Sequence, residues 1–182
     1  MVGRLTAKKR MPAGDSMTAV HTGNDKPPIA QETSAAYLAI FQPLAKERCF
    51  IDTNVLVYAD SGDEPVKQRI ALTLLNQLRL NQKGVLSTQV LTEYCNVALN
   101  KLKLPHADIR EQMQFWQQYE VVQVTPDIIH AGLDLHQTRS IGYFDALIVA
   151  AAKTSGCTVL YSEDMNAGEV VNGVRIVNPF RV

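Results

Sequence analysis

Cysteine is scarce in this chain and unpaired: Cys49, Cys95 and Cys157 lie far apart, form no CxxC motif and have no histidine at zinc-ligand spacing. That pattern excludes a disulfide framework and a thiolate metal site, and points to free buried thiols in a reducing compartment. His21, His106, His130 and His136 are scattered too, and none is assigned a catalytic role. Long apolar runs are also missing. The longest, Ala146 to Ala152, falls far short of the ~20 residues that a membrane-spanning helix requires. The basic start, Met1 to Arg10, is followed by Pro12, Gly14 and Asp15 instead of an apolar stretch, so it does not read as a secretion signal. These absences give the expectation of a cytoplasmic protein.

An excess of either charge is absent overall, with 18 Lys and Arg against 18 Asp and Glu, but the balance is uneven along the chain. Residues 1–48 hold seven basic and four acidic residues, a balance of +3; residues 49–182 hold eleven and fourteen, a balance of −3. The larger part is therefore mildly acidic and gains no general attraction for nucleic acid. Binding a polyanion would need a local basic patch or bridging cations.

What is present suits one domain: 182 residues, 46% apolar and 20% charged. Residues 1–32 are rich in Gly, Pro, Lys, Thr, Asn and Asp without periodicity, and read as a disordered N-terminal extension. Residues 33–47 carry Tyr37, Leu38, Ile40 and Phe41 and predict a helix leading into a domain over 48–182, with Pro43 interrupting it. From there strands and helices alternate, which predicts an α/β fold with a central parallel sheet between helical layers. Strands are expected at 49–52, 85–87, 121–124, 157–161 and 174–177. Helices are expected at 55–59, from Pro65 to about Gly84, at 89–102, from Pro105 to Tyr119, from Pro126 to Thr138, and at 143–155.

Four acidic residues stand where these runs begin or end: Asp52, Glu93, Asp145 and Asp164. Each has a plain explanation. Asp52 and Asp164 follow strands, where Asp commonly caps a helix. Asp145 lies in the first turn of an all-apolar helix, where the helix dipole favours a negative charge. Glu93 sits at the edge of an apolar stripe, beside Gln89 and Asn96, as a solvated Glu would. Yet in an open α/β sheet all four positions can converge at the carboxyl ends of the strands, where ligands bind. Carboxylates gathered there would repel one another unless a cation intervened, and an all-oxygen donor set suits Mg²⁺ or Mn²⁺.

The segments carrying these acids resemble those of the PIN-domain nucleases, in particular the VapC-type toxins of type II toxin–antitoxin systems. The likeness runs from about Arg48 to Val182. It rests on Phe50-Ile51-Asp52-Thr53-Asn54, Thr92-Glu93, Phe144-Asp145-Ala146-Leu147-Ile148 and Tyr161-Ser162-Glu163-Asp164-Met165, in that order, and on the ending Gly173 to Phe180.

The resemblance implies a three-layer α/β/α sandwich, a homodimer, a protein antitoxin as partner, and Mg²⁺- or Mn²⁺-dependent cleavage of RNA to 5′-phosphate and 3′-hydroxyl ends. Asp52, Glu93, Asp145 and Asp164 would be the catalytic, metal-holding residues, with Asn54 and Ser162 orienting them. Lys67, Arg69, Lys101, Lys103 and Arg139 are candidates for phosphate contacts, although a solvated face explains each. Two rivals stay open. One is an aspartate-dependent phosphatase, which needs a second Asp where Asn54 stands; the other is a PIN-type module that binds RNA or protein without cleaving.

Overall fold

The first strand, Cys49–Ile51 (β1), has every residue buried, because hydrogen-bonded neighbours flank it on both sides. The computed structural model describes residues 47–181. The expected extension and all but the last residue of the expected helix over 33–47 lie outside the described residues. After β1 the elements follow as α1 (Thr53–Asp60), α2 (Pro65–Leu80), β2 (Gly84–Ser87), α3 (Thr88–Asn100), α4 (His106–Trp116), β3 (Glu120–Val122), α5 (Pro126–Arg139), α6 (Tyr143–Thr154), β4 (Val159–Tyr161), β5 (Val170–Val171) and β6 (Val174–Val177).

Pro65 and Pro126 each occupy the first turn of a helix, where the missing N–H costs nothing and the fixed φ suits the helix. Ser87 and Thr125 cap the next helices by accepting from Val90 N–H and Ile128 N–H.

The sheet order is β3-β2-β1-β4-β6-β5. The strands from β3 to β6 run parallel, in agreement with the α/β/α expectation, and only β5 is antiparallel. This short edge strand is absent from the sequence reading. Its hairpin is made by Asn172 and Gly173, both at positive φ, the conformation an Asn-Gly pair adopts in a two-residue turn. Five parallel strands with crossover helices need cover on both faces, and the core supplies it. Phe50, Ile51, Leu56, Leu74, Leu86, Leu160 and Ile176 are each at most 1% exposed, and each such side chain contributes roughly 1.5–3 kcal/mol by leaving water.

Helix α6 is buried without a break from Ala146 to Ala152, as its all-apolar sequence requires. It packs closely on α5 because Gly132 has no side chain: a Cβ there would stand 3.1 Å from the Leu147 Cα.

The order of the strands places the site. From β1 the chain moves outward to β2 and β3 on one side, then returns to β4 and β6 on the other. The crevice therefore opens past the carboxyl ends of β1 and β4, the point where strand order reverses. Register fixes the detail: Ile51 pairs with Tyr161, and Asp52 N–H donates to the Tyr161 carbonyl at 3.0 Å, so Asp52 and Ser162 emerge side by side.

Candidate active site

Asp52 is the most enclosed of the four acids, at 4% exposure. It caps α1, as its position after a strand suggests: Oδ1 accepts from Thr53 N–H at 2.6 Å. Its other oxygen accepts from Ser162 Oγ at 2.6 Å and from Asn54 Nδ2 at 2.9 Å. Burial pushes its carboxyl up to about 7 in spite of the Ser162 and Thr53 hydrogen bonds, and the charges of Asp164 and Glu93 add to the rise. Asp145, half-buried in the first turn of α6, is raised for the same reasons: burial first, then Asp164 and Glu93.

Asp164 is exposed in the turn after β4. No helix follows it, so it is not a helix cap. Instead its Oδ2 accepts from Asn54 Nδ2 at 3.2 Å, and its backbone N–H donates to Ser162 Oγ at 3.2 Å. Asn54 and Ser162 thus join Asp52 to Asp164. Glu93, half-buried on α3, is held at both oxygens: Thr53 Oγ1 donates to Oε2 and Gln89 Nε2 to Oε1, each at 2.9 Å. Gln89 Nε2 also donates to the Phe144 carbonyl at 3.3 Å, which braces α3 against the start of α6. Neither Thr53 nor Gln89 is assigned a site role by the sequence. Gln89 stands four residues before Glu93 on one helix, a spacing that brings side chains together and could have flagged it.

All four acids line one cleft of about 700 Å³, bounded by α1, α3, the start of α6 and the turn after β4. Its lining includes eight carboxylates, the others being Asp60, Asp63, Glu64 and Glu163, and a single cation, Lys101. Of the basic residues considered for phosphate, Arg69, Lys103 and Arg139 do not line it. Lys67 is already engaged: its Nζ pairs with Glu163 at 2.8 Å and Glu64 at 3.2 Å and donates to Tyr58 Oη at 2.8 Å. A lysine held this way neutralises the cleft wall and is not free to grip phosphate.

The donor chemistry fits a hard divalent cation. Every candidate ligand is an oxygen, and the repulsion acting on Asp52 and Asp145 is of the kind a cation relieves. Two buried carbonyl oxygens in the network, Asn54 Oδ1 and Gln89 Oε1, have no hydrogen-bond partner. Both amides are turned so that nitrogen faces carboxylates, which leaves these oxygens without a donor. Among the described residues, however, no three His, Cys, Asp or Glu side chains stand close enough to hold an ion directly. Contact through an ion's own water shell is the mode such spacing allows, and Mg²⁺ retains several waters.

The family model for the PIN domain matches residues 49–171, which includes all four acids. Among solved structures, the chain is similar to a toxin–antitoxin complex from Klebsiella pneumoniae (TM-score 0.58, 19% identity, covering 74% of this chain and 99% of that one). It is also similar to VapBC2 from Rickettsia felis bound to a promoter DNA fragment (0.52, 18%, 70% and 96%). A third is VapC20 from Mycobacterium tuberculosis, a toxin that cleaves the sarcin–ricin loop (0.50, 16%, 65% and 91%). At these identities the likeness is one of fold. A search of the curated proteins finds no match.

Proposed function

Because the chain belongs to the PIN domain family, we propose that it is a divalent-metal-dependent endoribonuclease, the toxin of a toxin–antitoxin pair. The observation that carries this reading is the convergence of Asp52, Glu93, Asp145 and Asp164 on one strand-end cleft that holds almost no positive charge. Similar folds in two toxin–antitoxin complexes and in a toxin that cleaves the sarcin–ricin loop support it.

The chain's own residues have defined parts in such a reaction. Asp52, Glu93, Asp145 and Asp164 would hold Mg²⁺ or Mn²⁺ between them, at least in part through the ion's own waters. The ion, when bound, would lower the pKa of a coordinated water and stabilise negative charge growing on the phosphate. Asn54 and Ser162 hold Asp52 in one orientation and tie it to Asp164, while Thr53 and Gln89 fix both oxygens of Glu93. Fixed carboxylates need no reorganisation when an ion and a phosphodiester arrive, which is how oriented second-layer partners raise affinity and rate.

The phosphatase rival loses ground on Asn54. Its amide donates to Asp52, Asp164 and Ser162, so it serves as a hydrogen-bond donor where that chemistry needs a titrating acid.

The partners in this reading are an RNA substrate, a protein antitoxin and a second copy of the chain. Ile129 and Leu133, one turn apart on α5 and 37% and 48% exposed, offer an apolar face to such a copy. No helix among the described residues is long and apolar enough to cross a membrane, and Cys49, Cys95 and Cys157 are free thiols, which suits action in the cytoplasm.

The test is cleavage of labelled single-stranded and structured RNA with Mg²⁺ or with EDTA, by the wild-type chain and by Asp52→Asn and Asp145→Asn. Cleavage that needs the metal and disappears in both variants is expected. Cutting in EDTA, or full activity in both variants, would overturn the proposal.

A further inference from the structure

Phe144 immediately precedes Asp145 at the start of α6, yet it is 64% exposed. Among the described residues it is the one strongly exposed large apolar side chain that lines the carboxylate cleft. Its backbone is held in place: the carbonyl accepts from Gln89, and the neighbouring Tyr143 ring lies 5.5 Å away, tilted by 60°. Tyr143 is itself braced edge-on by His136 at 6.3 Å, and His136 Nδ1 is 2.6 Å from the Ile141 carbonyl. An aromatic ring thus stands on a rigid base, open to solvent, beside an acid assigned to the reaction.

The other aromatic side chain of the cleft, Tyr58, is unavailable. Its hydroxyl donates to Glu163, Lys67 Nζ lies 4.4 Å over its ring, and Phe180 packs edge-on at 4.8 Å. The cleft's charge also works against a polyanion, with eight carboxylates facing one lysine. Beyond what a bound cation supplies, affinity for RNA in this cleft has to draw on contacts that do not depend on positive charge. Base stacking on an aromatic ring is such a contact, and every unpaired base offers a face for it.

We propose that Phe144 is the stacking platform for the unpaired base next to the scissile phosphate, a substrate-positioning side chain beside Asp145. The inference rests on the ribonuclease reading above and adds to it a residue that positions the substrate.

The experiment uses the full-length chain. In steady-state cleavage of a single-stranded RNA, Phe144→Ala and Phe144→Leu should raise KM on the order of tenfold while kcat changes little. Phe144→Tyr should restore the wild-type KM, which separates ring stacking from simple apolar bulk. A second readout needs no turnover. In an Asp52→Asn background, Phe144→Trp introduces an exposed indole, and the chain's other tryptophan, Trp116, is 2% exposed and remote from solvent quenchers. Titration with 12-nucleotide oligouridylate or oligoadenylate should quench the new emission, and a blunt duplex of the same length should not.

Absence of quenching while the wild type cleaves RNA would overturn the stacking role alone. Quenching without any wild-type cleavage would support stacking and overturn the nuclease. A wild-type KM in Phe144→Leu, or a Phe144→Ala effect confined to oligomeric state or to binding of a protein partner, would likewise overturn the proposal.

Discussion

Lys67 Nζ and Glu163 Oε1 lie 2.8 Å apart, and this ion pair joins α2 to the turn that carries Asp164. Tyr58 completes the clamp by donating to the other Glu163 oxygen at 2.5 Å, and Asn178 Nδ2 reaches the Glu163 carbonyl at 3.5 Å from the C-terminal side. Although burial pushes the Glu163 acid up, the hydrogen bonds from Lys67 and Tyr58 hold it below the usual carboxylate range. The turn is thereby anchored by the residue adjacent to the acid it presents.

Tyr58→Phe removes one hydroxyl and keeps the ring against Phe180, so it should cost only about 1 kcal/mol of stability. Metal affinity should fall on the order of tenfold, because Asp164 loses part of its support. Calorimetric titration with Mn²⁺, beside a thermal melt, checks both. Unchanged affinity would mean that Asp164 is positioned without the clamp.

Asp52 contributes to the pH dependence of stability in the metal-free chain. Its folded acid sits near 7 while an unfolded Asp titrates near 4. Between those values the folded state holds a proton that the unfolded state lacks, so stability falls as pH rises from about 4 to about 7. Asp52→Asn removes the charge. Its amide can still accept from Thr53 N–H and can donate to Asn54 Oδ1, which has no partner, once that side chain rotates. In EDTA the variant should melt a few degrees above wild type at pH 8, and the gap should close near pH 4. A wild-type melting point that is flat across this range would contradict the argument.

Gly142 precedes α6, and a Cβ there would lie 2.9 Å from Asp145 Oδ2. The atom it meets is the end of a side chain, so Gly142→Ala should fold normally while turning the Asp145 carboxylate aside. Activity should drop by about tenfold with little change in melting temperature. Equal losses of activity and of stability would point to a general packing defect instead.

Thr53 and Gln89 hold opposite oxygens of Glu93, so their effects should not add. Thr53→Val and Gln89→Leu should each weaken Mn²⁺ binding. The double variant should lose less than the sum, since a carboxylate freed by one change has less to lose from the second. A double-mutant cycle measured by the same titration decides it, and strict additivity would show that the two contacts act independently.

Much of the architecture was readable because it depends on neighbours in sequence. The prolines at 65 and 126 mark helix starts, the buried run 146–152 marks a core helix, and the apolar triplet before Asp52 marks a central strand. The Asn172-Gly173 turn was equally local and still went unread, since the strands it joins are only two and four residues long. Asp52, Asp145 and Asp164 could be picked out by their places at or near element ends, whereas Glu93 lies in the second turn of α3. Lys67 is a candidate for phosphate contact in the sequence, with a solvated face the plainer explanation, and one of its ion-pair partners, Glu163, lies 96 positions away.

Local pattern therefore determined the order of elements and the candidate carboxylates, because capping, periodicity and turn chemistry act over a few residues. Only the folded sheet decided which side chains meet. Tyr58 reaches Glu163 across 105 positions, Ser162 reaches Asp52 across 110, and Thr53 reaches Glu93 across 40. Strand order and register set such contacts, and these follow from burying the whole core at once, which no short window of sequence encodes.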